Sequence, residues 1–293
     1  MQRKFQMITD SGCDLPDAYF QEKGVECLRL GFVMGGVEYY GEGGQDISLQ
    51  TFYARLRAGE LPTTYQITPD VAKEHIERYA KMGQDVLAVA FSSGLSGTAN
   101  SYAVAAKELM AAYPDRKIFV VDSLCASMGQ GLLLHYVLEK ADAGATIEET
   151  YEYAEELKCK IDHEFTVNDL FHLKRGGRVS STAAVVGSML NVKPILHVSN
   201  EGKLTPTGKV MGRKKALKRL VENMVELADI TDEDPIYISH ADCEGDAKEL
   251  AEMVKKSFPA NQLVMEYIGP VIGSHSGCGT VALFFKAKRR VDK

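Results

Sequence analysis

A run of small and hydroxylated residues, Ser92–Thr98, is the part of the sequence best suited to hold a ligand. Its two glycines, Gly94 and Gly97, let the main chain bend closely around a bound group. The hydroxyls of Ser93 and Ser96 stand where a helix is predicted to begin, and the free N–H groups and dipole of a helix start favour a phosphate or a carboxylate. The run predicts an anion site, with the alternative that one of its hydroxyls only caps the helix.

Ser96 is also a candidate nucleophile, because serine hydrolases place a serine at a sharp strand-to-helix turn. The local sequence is Gly94-Leu-Ser-Gly97, and Thr98 stands where a G-x-S-x-G motif has its last glycine. The run also lacks the spacing of the G-x-x-x-x-G-K-[ST] and G-x-G-x-x-G nucleotide loops. These departures favour anion binding over hydrolysis or a nucleotide site.

Other loops supply further candidate contacts for the same anion. The loop Leu61–Pro69 offers the hydroxyls of Thr64 and Thr68, although Thr68 directly precedes a proline and is predicted to cap a helix that starts there. His275 lies in a glycine-rich segment, where its imidazole either hydrogen-bonds a carboxylate or serves the structure alone. Thr64 and His275 therefore join Ser96 as candidates.

Arg175 and Arg178 flank a pair of glycines. Two guanidinium groups at this spacing can clasp an anion, contact a partner, or pin a loop by donating to carbonyl oxygens. Taken alone, the residues favour the last of these roles.

The composition limits the classes of function. The 293 residues carry a net charge of −6, which is unfavourable for binding duplex nucleic acid. Six cysteines without a CxxC pair and seven histidines without metal spacing predict neither a metal site nor a disulfide framework. No window approaches the roughly 18 apolar residues of a membrane span, so we expect a cytoplasmic protein with no integral membrane segment.

Strands and helices alternate in the first half of the chain. Apolar strands are predicted over Phe5–Ile8, Val25–Val33, Asp85–Phe91 and Lys117–Ser123. This alternation predicts a parallel sheet with helices on both faces, with ligands held beyond the carboxyl ends of its strands.

The elements become shorter near residue 160, which predicts two domains. An N-terminal α/β domain over residues 1–160 is expected to carry the anion-binding loops, and a second α/β domain is expected over residues 161–293. The segments Leu173–Arg178 and Gly269–Thr280 are predicted to be loops because of their glycine content.

Eight short motifs follow one another along the chain: Ile8–Pro16, Thr64–Gln66, Ser92–Thr98, Val121–Ser123, Leu173–Ser180, Leu190–Leu196, Arg213–Leu217 and Gly269–Gly277. Each motif is weak alone, but their order and spacing are specific. Together they make the whole chain resemble the bacterial fatty-acid-binding proteins of the DegV family.

The resemblance implies a two-domain DegV-like α/β fold, with an N-terminal three-layer α/β/α domain and a mixed sheet in the C-terminal domain. It also implies that a long-chain fatty acid is bound with its acyl tail buried and its carboxylate at the rim. Thr64 and Ser96 would hydrogen-bond the carboxylate, with Ser93, Gly94 and His275 close by.

The resemblance also implies a partner. Some family members are binding subunits that present the carboxylate to a separate, ATP-using fatty-acid kinase, which forms the acyl phosphate. In that arrangement the chain has no catalytic residues of its own and no cofactor apart from the bound fatty acid. The alternatives are a lipid-directed enzyme, with Ser96 as a hydrolase nucleophile or His275 in phosphoryl transfer, and a lipid-responsive regulatory protein.

Three positions depart from the family pattern. Tyr65 places a bulky ring beside Thr64, Met211 stands where many members carry an arginine, and Cys278 replaces a common proline. We expect these changes to leave carboxylate binding intact and to bear on the kinase partnership.

Overall fold

A computed structural model describes residues 3–40, 44–168, 170–179 and 191–290. The motif residues Ser180 and Leu190 lie outside the described residues.

The N-terminal half contains the following elements: β1 (Phe5–Asp10), α1 (Asp17–Lys23), β2 (Val25–Leu28), β3 (Gly31–Met34), β4 (Val37–Tyr40), α2 (Leu49–Arg57), β5 (Thr63–Tyr65), α3 (Pro69–Lys81), β6 (Asp85–Ala90), α4 (Thr98–Ala112), β7 (Ile118–Asp122), α5 (Met128–Asp142) and α6 (Ile147–Leu157). The C-terminal half contains β8 (Ile161–Thr166), α7 (Phe171–Arg175), β9 (Val192–Val198), β10 (Leu204–Met211), α8 (Arg213–Leu227), β11 (Ile236–His240), α9 (Glu244–Ser257), β12 (Leu263–Tyr267), α10 (Pro270–Ser276) and β13 (Val281–Lys286). Short 3-10 helices span Ser11–Cys13 and Lys158–Lys160.

The first sheet is parallel, with strand order β2-β1-β6-β7. Alternate side chains of β1 and β6 enter different cores: Ile8 and Val86 pack with α3 and α4, whereas Met7 and Leu87 pack with α5 and α6. The predicted three-layer α/β/α arrangement with a parallel sheet is therefore confirmed.

The second sheet is mixed, with strand order β10-β9-β8-β13-β11-β12, and only the β11–β12 pair is parallel among its described pairings. One face packs against α8 and α9. The other shares a core with α5, so α5 lies between the two sheets. This position explains why Leu132, Leu133 and Leu134 are all fully buried, since a helix covered on every side has no polar stripe.

A third, antiparallel sheet has the order β4-β3-β5. The predicted strand Val25–Val33 is wrong as one element, because it is divided into β2 and β3 in different sheets. At the break, the N–H of Leu30 donates to Ser11 Oγ at 2.9 Å instead of joining a strand ladder.

The two segments predicted to be loops contain the short helices α7 and α10, so these predictions are wrong in part. Pro270 occupies the first turn of α10, a position where its missing N–H costs nothing. Gly273 marks close packing rather than a turn, since a Cβ there would lie 2.6 Å from Tyr53 Oη. The division of domains at residue 160 stays a prediction; β8 begins at Ile161.

Candidate ligand-binding site

A cavity of about 350 Å³ lies between the β6–α4 loop, β5, α10 and one face of the mixed sheet. Most of its wall is apolar and includes Phe91, Leu95, Phe165, Leu204, Val271 and Phe284. Polar groups also reach the wall, among them Thr64, Gln66, Ser96, Arg178 and His275. An apolar cavity with a few converging polar groups is the usual form of a small-molecule site.

Thr64 and His275 form the central polar pair of this cavity. Thr64 Oγ1 lies 2.8 Å from His275 Nε2, although the two residues are 211 positions apart in the sequence. The pairing of β5 with β3, which sets Thr64 opposite Phe32, fixes the threonine on a strand. The structure thus brings together two residues that the sequence could only propose separately.

Burial, together with the positive charges of Arg178 and Arg175, lowers the pKa of His275 to about 4. The imidazole is therefore neutral at pH 7. When its proton is on Nε2, the ring donates to Thr64 Oγ1, and the threonine hydroxyl is free to donate to an anion. The pair can thus supply a hydrogen bond to a carboxylate without carrying a charge itself.

Gly176 fixes the position of the His275 ring. A Cβ on Gly176 would lie only 2.1 Å from His275 Nδ1, so the main chain just after α7 packs directly against the imidazole. Gly176 has an ordinary helical φ of −75°, so close packing is what requires glycine here. The sequence shows the glycine pair at this point, but it gives no sign that Gly176 contacts His275.

Ser96 lines the cavity and has local partners as well. Its Oγ accepts from the N–H of Thr98 at 3.2 Å and lies 3.0 Å from Thr98 Oγ1. The next residue, Gly97, packs against Gln66, whose Oε1 would lie 2.2 Å from an added Cβ. The loop is therefore held close to β5, so that Ser96 and Thr64 contribute to the same cavity.

Ser93 and Gly94 are placed differently from Ser96. Ser93 is exposed, and its N–H donates to Asp122 Oδ1 at 3.0 Å. A Cβ on Gly94 would lie 2.6 Å from the carbonyl oxygen of Glu201, so this glycine permits contact with the β9–β10 turn. Neither residue is among those that line the cavity with Ser96. Their contact with a ligand stays a prediction.

Arg175 and Arg178 both donate to main-chain carbonyls. Arg175 Nη2 lies 3.1 Å from the oxygen of Pro62 and 3.3 Å from that of Ser274. Arg178 Nε donates to the carbonyl oxygen of Leu95 at 3.2 Å, and its Nη1 donates to the carbonyl oxygen of Gly176, just after α7. These contacts support the loop-pinning role, and Arg178 also lines the cavity.

A buried carboxylate, Asp10, orients the loop that carries Ser96. It accepts from the N–H groups of Phe91 at 2.8 Å and Gly12 at 3.0 Å, which joins the ends of β1 and β6. Desolvation raises its pKa to about 6. Sequence reasoning missed this role, although Asp10 and the loop after β6 both follow strands of one parallel sheet and so meet at one edge.

The three positions that depart from the family pattern have different surroundings. The Tyr65 ring packs across Gly31, where an added Cβ would lie 2.0 Å from its Cζ, and it also lines the cavity. Met211 is exposed at the end of β10. Cys278 donates weakly to the oxygen of Tyr53 at 3.8 Å. Only Tyr65 of the three lines the cavity.

Within the described ranges, no group of three or more His, Cys, Asp and Glu residues is arranged to hold a metal ion. No helix of this part of the chain is long and apolar enough to cross a membrane.

The fold and the cavity define an α/β protein built to enclose a mostly apolar ligand with a polar end. A family profile described as uncharacterised protein, DegV family, matches residues 4–288. The chain belongs to the DegV family.

Relatives of known sequence and structure agree with this assignment. A DegV domain-containing protein of Clostridium perfringens is 43% identical over 97% of both chains. A fatty-acid-binding DegV family protein of Streptococcus agalactiae superposes with a TM-score of 0.84 at 31% identity, over 98% of this chain and 100% of that one. A fatty-acid-binding DegV of Bacillus subtilis has a TM-score of 0.82 at 30% identity with the same coverage.

Proposed function

We propose that this protein binds one long-chain fatty acid, with the carboxylate at Thr64, Ser96 and His275 and the acyl tail in the apolar part of the cavity. The observation that carries the proposal is the neutral Thr64–His275 pair set into a cavity of mainly apolar wall. The solved relatives from Streptococcus agalactiae and Bacillus subtilis, both described as fatty-acid-binding, support it.

The energetics assign different tasks to the two ends of the ligand. Burying a methylene contributes about 0.8 kcal/mol, so a long tail supplies on the order of 10 kcal/mol before ordering costs. Each hydrogen bond from a hydroxyl to the carboxylate contributes only about 1.5–3 kcal/mol. The tail therefore sets the affinity, whereas Thr64 and Ser96 set the orientation and the preference for a free acid over an ester.

We further propose that the protein performs no chemistry alone and presents the carboxylate to a separate fatty-acid kinase. The surroundings of Ser96 support a binding role: among the described residues its Oγ is hydrogen-bonded to Thr98, and no histidine lies within hydrogen-bonding distance of it. A serine nucleophile needs a base at such a distance. Acyl phosphate should form only when the kinase and ATP are both added.

Ser96→Ala tests the head-group assignment. We expect the affinity of the delipidated protein for palmitic acid to fall about tenfold to a hundredfold, because one hydrogen bond of about 1.5–3 kcal/mol to a charged group is lost. Ser48→Ala is the matched control, since Ser48 Oγ likewise accepts a main-chain N–H and pairs with a threonine hydroxyl, but at the start of α2. Equal affinities for all three proteins would refute the role of Ser96.

Analysis of the ligand bound to the unmodified protein tests the proposed function itself. Organic extraction of freshly purified protein should release about one fatty acid per chain, identified by mass spectrometry. An empty protein that also takes up no added fatty acid would refute the proposal. Hydrolysis of a lipid ester by the protein alone would instead favour the enzyme alternative.

A further inference from the structure

The guanidinium group of Arg290 joins three segments of the main chain beside the cavity. It donates to the carbonyl oxygens of Leu124 at 2.6 Å, Ile161 at 2.7 Å and Ser199 at 3.1 Å. The first of these residues lies in the β7–α5 loop, the second begins β8, and the third follows β9. Arg290 is only 1% exposed, so its bonds to the three segments are shielded from water.

Each of these segments also contributes a residue to the cavity wall, one or two positions from the carbonyl that Arg290 contacts. The three residues are Ala126, His163 and Val198, and we call them the end wall. The N–H of Ala126 donates to His163 Nε2 at 3.2 Å, which joins two of the segments directly. Arg290 therefore fixes the main chain behind the whole end wall through one side chain.

The strands β8 and β13 run along the cavity and show which end of it Arg290 supports. Thr280, Ala282 and Phe284 line the cavity at alternate positions of one strand. Thr280 lies beside α10, the helix that carries His275, because its Oγ1 donates to the last carbonyl of that helix at 3.0 Å. Phe284 pairs with His163 of the end wall, about 13 Å further along the strand. The end wall therefore lies far from the carboxylate site.

The cavity is closed at the end wall and open beside β5. His163 is 1% exposed, and its ring packs edge-on against Phe284 with the ring centroids 5.3 Å apart. A Cβ on Gly129 would lie 2.1 Å from His163 Nε2, so the first turn of α5 also packs against this ring. Tyr65 and Gln66 line the cavity too, but they are exposed. An acyl chain with its carboxylate near β5 would therefore end at the end wall.

We propose that Arg290 is a positioning residue of the acyl-tail site, which holds the end wall in place and so sets the longest saturated chain that the protein binds well. This inference rests on the fatty-acid binding proposed above. Arginine suits this role because its planar group of five N–H donors can hold several carbonyls at fixed angles, whereas the ammonium of a lysine is a single point charge on a flexible stem.

A chain-length limit follows from the energetics of burial. Each buried methylene raises the affinity about fourfold as long as the cavity has room for it. Once the tail reaches the end wall, a further methylene must push apart side chains that are already packed, so the affinity stops rising or falls. A less firmly held end wall should move this limit to a longer chain.

Arg290→Lys tests the proposal, because it keeps the positive charge and removes the planar group. The affinities of the delipidated unmodified protein and of the variant are measured for the saturated acids from lauric to arachidic acid, by displacement of a fluorescent fatty acid. The limit should move to a longer acid of the series in the variant, with a gain of about fourfold for each methylene newly accommodated. The affinities for acids too short to reach the end wall should stay the same.

Arg55→Lys is the matched control. Arg55 also donates to a carbonyl oxygen, that of Met34 at 3.3 Å, and to two side chains, but it lies on α2 and outside the set of described residues that line the cavity. It should lose stability in urea denaturation without any change in the chain-length limit. If Arg290→Lys does not fold, Cys125→Ala replaces it, since this variant removes only the sulfur to which Arg290 donates at 2.8 Å; its limit should move in the same direction.

Several results would overturn the inference. These are an unmodified protein without a chain-length limit, a limit that the variant leaves unchanged, an equal loss of affinity for every acid, and an equal shift of the limit in Arg55→Lys. In each of these cases the unmodified protein still binds fatty acids, so the proposed function stands. If the unmodified protein binds none of the acids, the proposed function fails and this inference fails with it.

Discussion

Gly176→Ala should displace the imidazole on which the head-group site depends. The added Cβ would lie 2.1 Å from His275 Nδ1 and 3.0 Å from Cε1. To regain a normal separation of about 3.5 Å, the ring must withdraw by more than about 1 Å. A ring displaced by that distance no longer keeps Nε2 in its present place, 2.8 Å from Thr64 Oγ1, so the hydrogen bond is weakened or broken.

The expected effects are a loss of stability and a loss of affinity. Forcing a methyl group into this contact should lower the free energy of unfolding by about 1–3 kcal/mol, measured by urea denaturation. Misplacing the Thr64 hydroxyl should weaken fatty-acid binding about fivefold, measured by displacement of a fluorescent fatty acid. Gly245→Ala is the control, because a Cβ there has open space within 4 Å and Gly245 also avoids positive φ.

A double-mutant cycle decides whether the clash is with the ring. In a His275→Ala background the imidazole is gone, so Gly176→Ala should have little further effect on affinity or stability. Equal effects of Gly176→Ala in both backgrounds would refute the reasoning, as would unchanged affinity in the single variant.

Two further predictions concern groups away from the carboxylate. Desolvation raises the pKa of Asp14 to about 7 in the folded protein, against 3.8 when unfolded, so the folded state retains a proton that the unfolded state has lost. The free energy of unfolding should therefore fall as pH rises from about 4 to about 7, and Asp14→Asn should flatten that fall in urea titrations; an unchanged slope would count against it. Arg290, 1% exposed, donates to the carbonyl oxygens of Leu124 at 2.6 Å and Ile161 at 2.7 Å. Arg290→Met should cost at least about 3 kcal/mol of unfolding free energy, whereas the exposed Arg289→Met should stay within about 0.5 kcal/mol, and similar values for both would contradict the assignment.

The parts of the fold that depend on short-range patterns were predictable from the sequence. Alternating apolar strands and helices predicted the parallel sheet. Thr68 caps α3 by accepting from the N–H of Val71 at 3.3 Å, as its position before a proline indicated. A threonine followed three residues later by a glutamate, Thr146 and Glu149, is the sequence signature of a capping box, and this box is present at the start of α6. These features depend on residues a few positions apart, so a single stretch of sequence contains the information.

Sequence-based prediction failed where a residue type that is typical of loops was required by contacts with distant parts of the chain. The glycines in Leu173–Arg178 and Gly269–Thr280 suggested loops, but Gly176, just after α7, and Gly273, within α10, lie in contact with His275 and Tyr53. These two positions must be small because segments far apart in the sequence pack against them. The local sequence gives no information about such distant contacts.

The sequence by itself determined the parallel α/β class of the N-terminal half and nominated Thr64, Ser96 and His275 as candidate contacts. Only the tertiary structure brought Thr64 to 2.8 Å from a histidine 211 residues away, and only it separated the cavity wall from the ordinary core. Phe284 packs in the core between the two sheets and also lines the cavity, whereas Phe285, the next residue, packs in the core with α8 and α9. Apolar side chains have the same character in both places, and long-range packing alone decides whether they meet one another or a ligand.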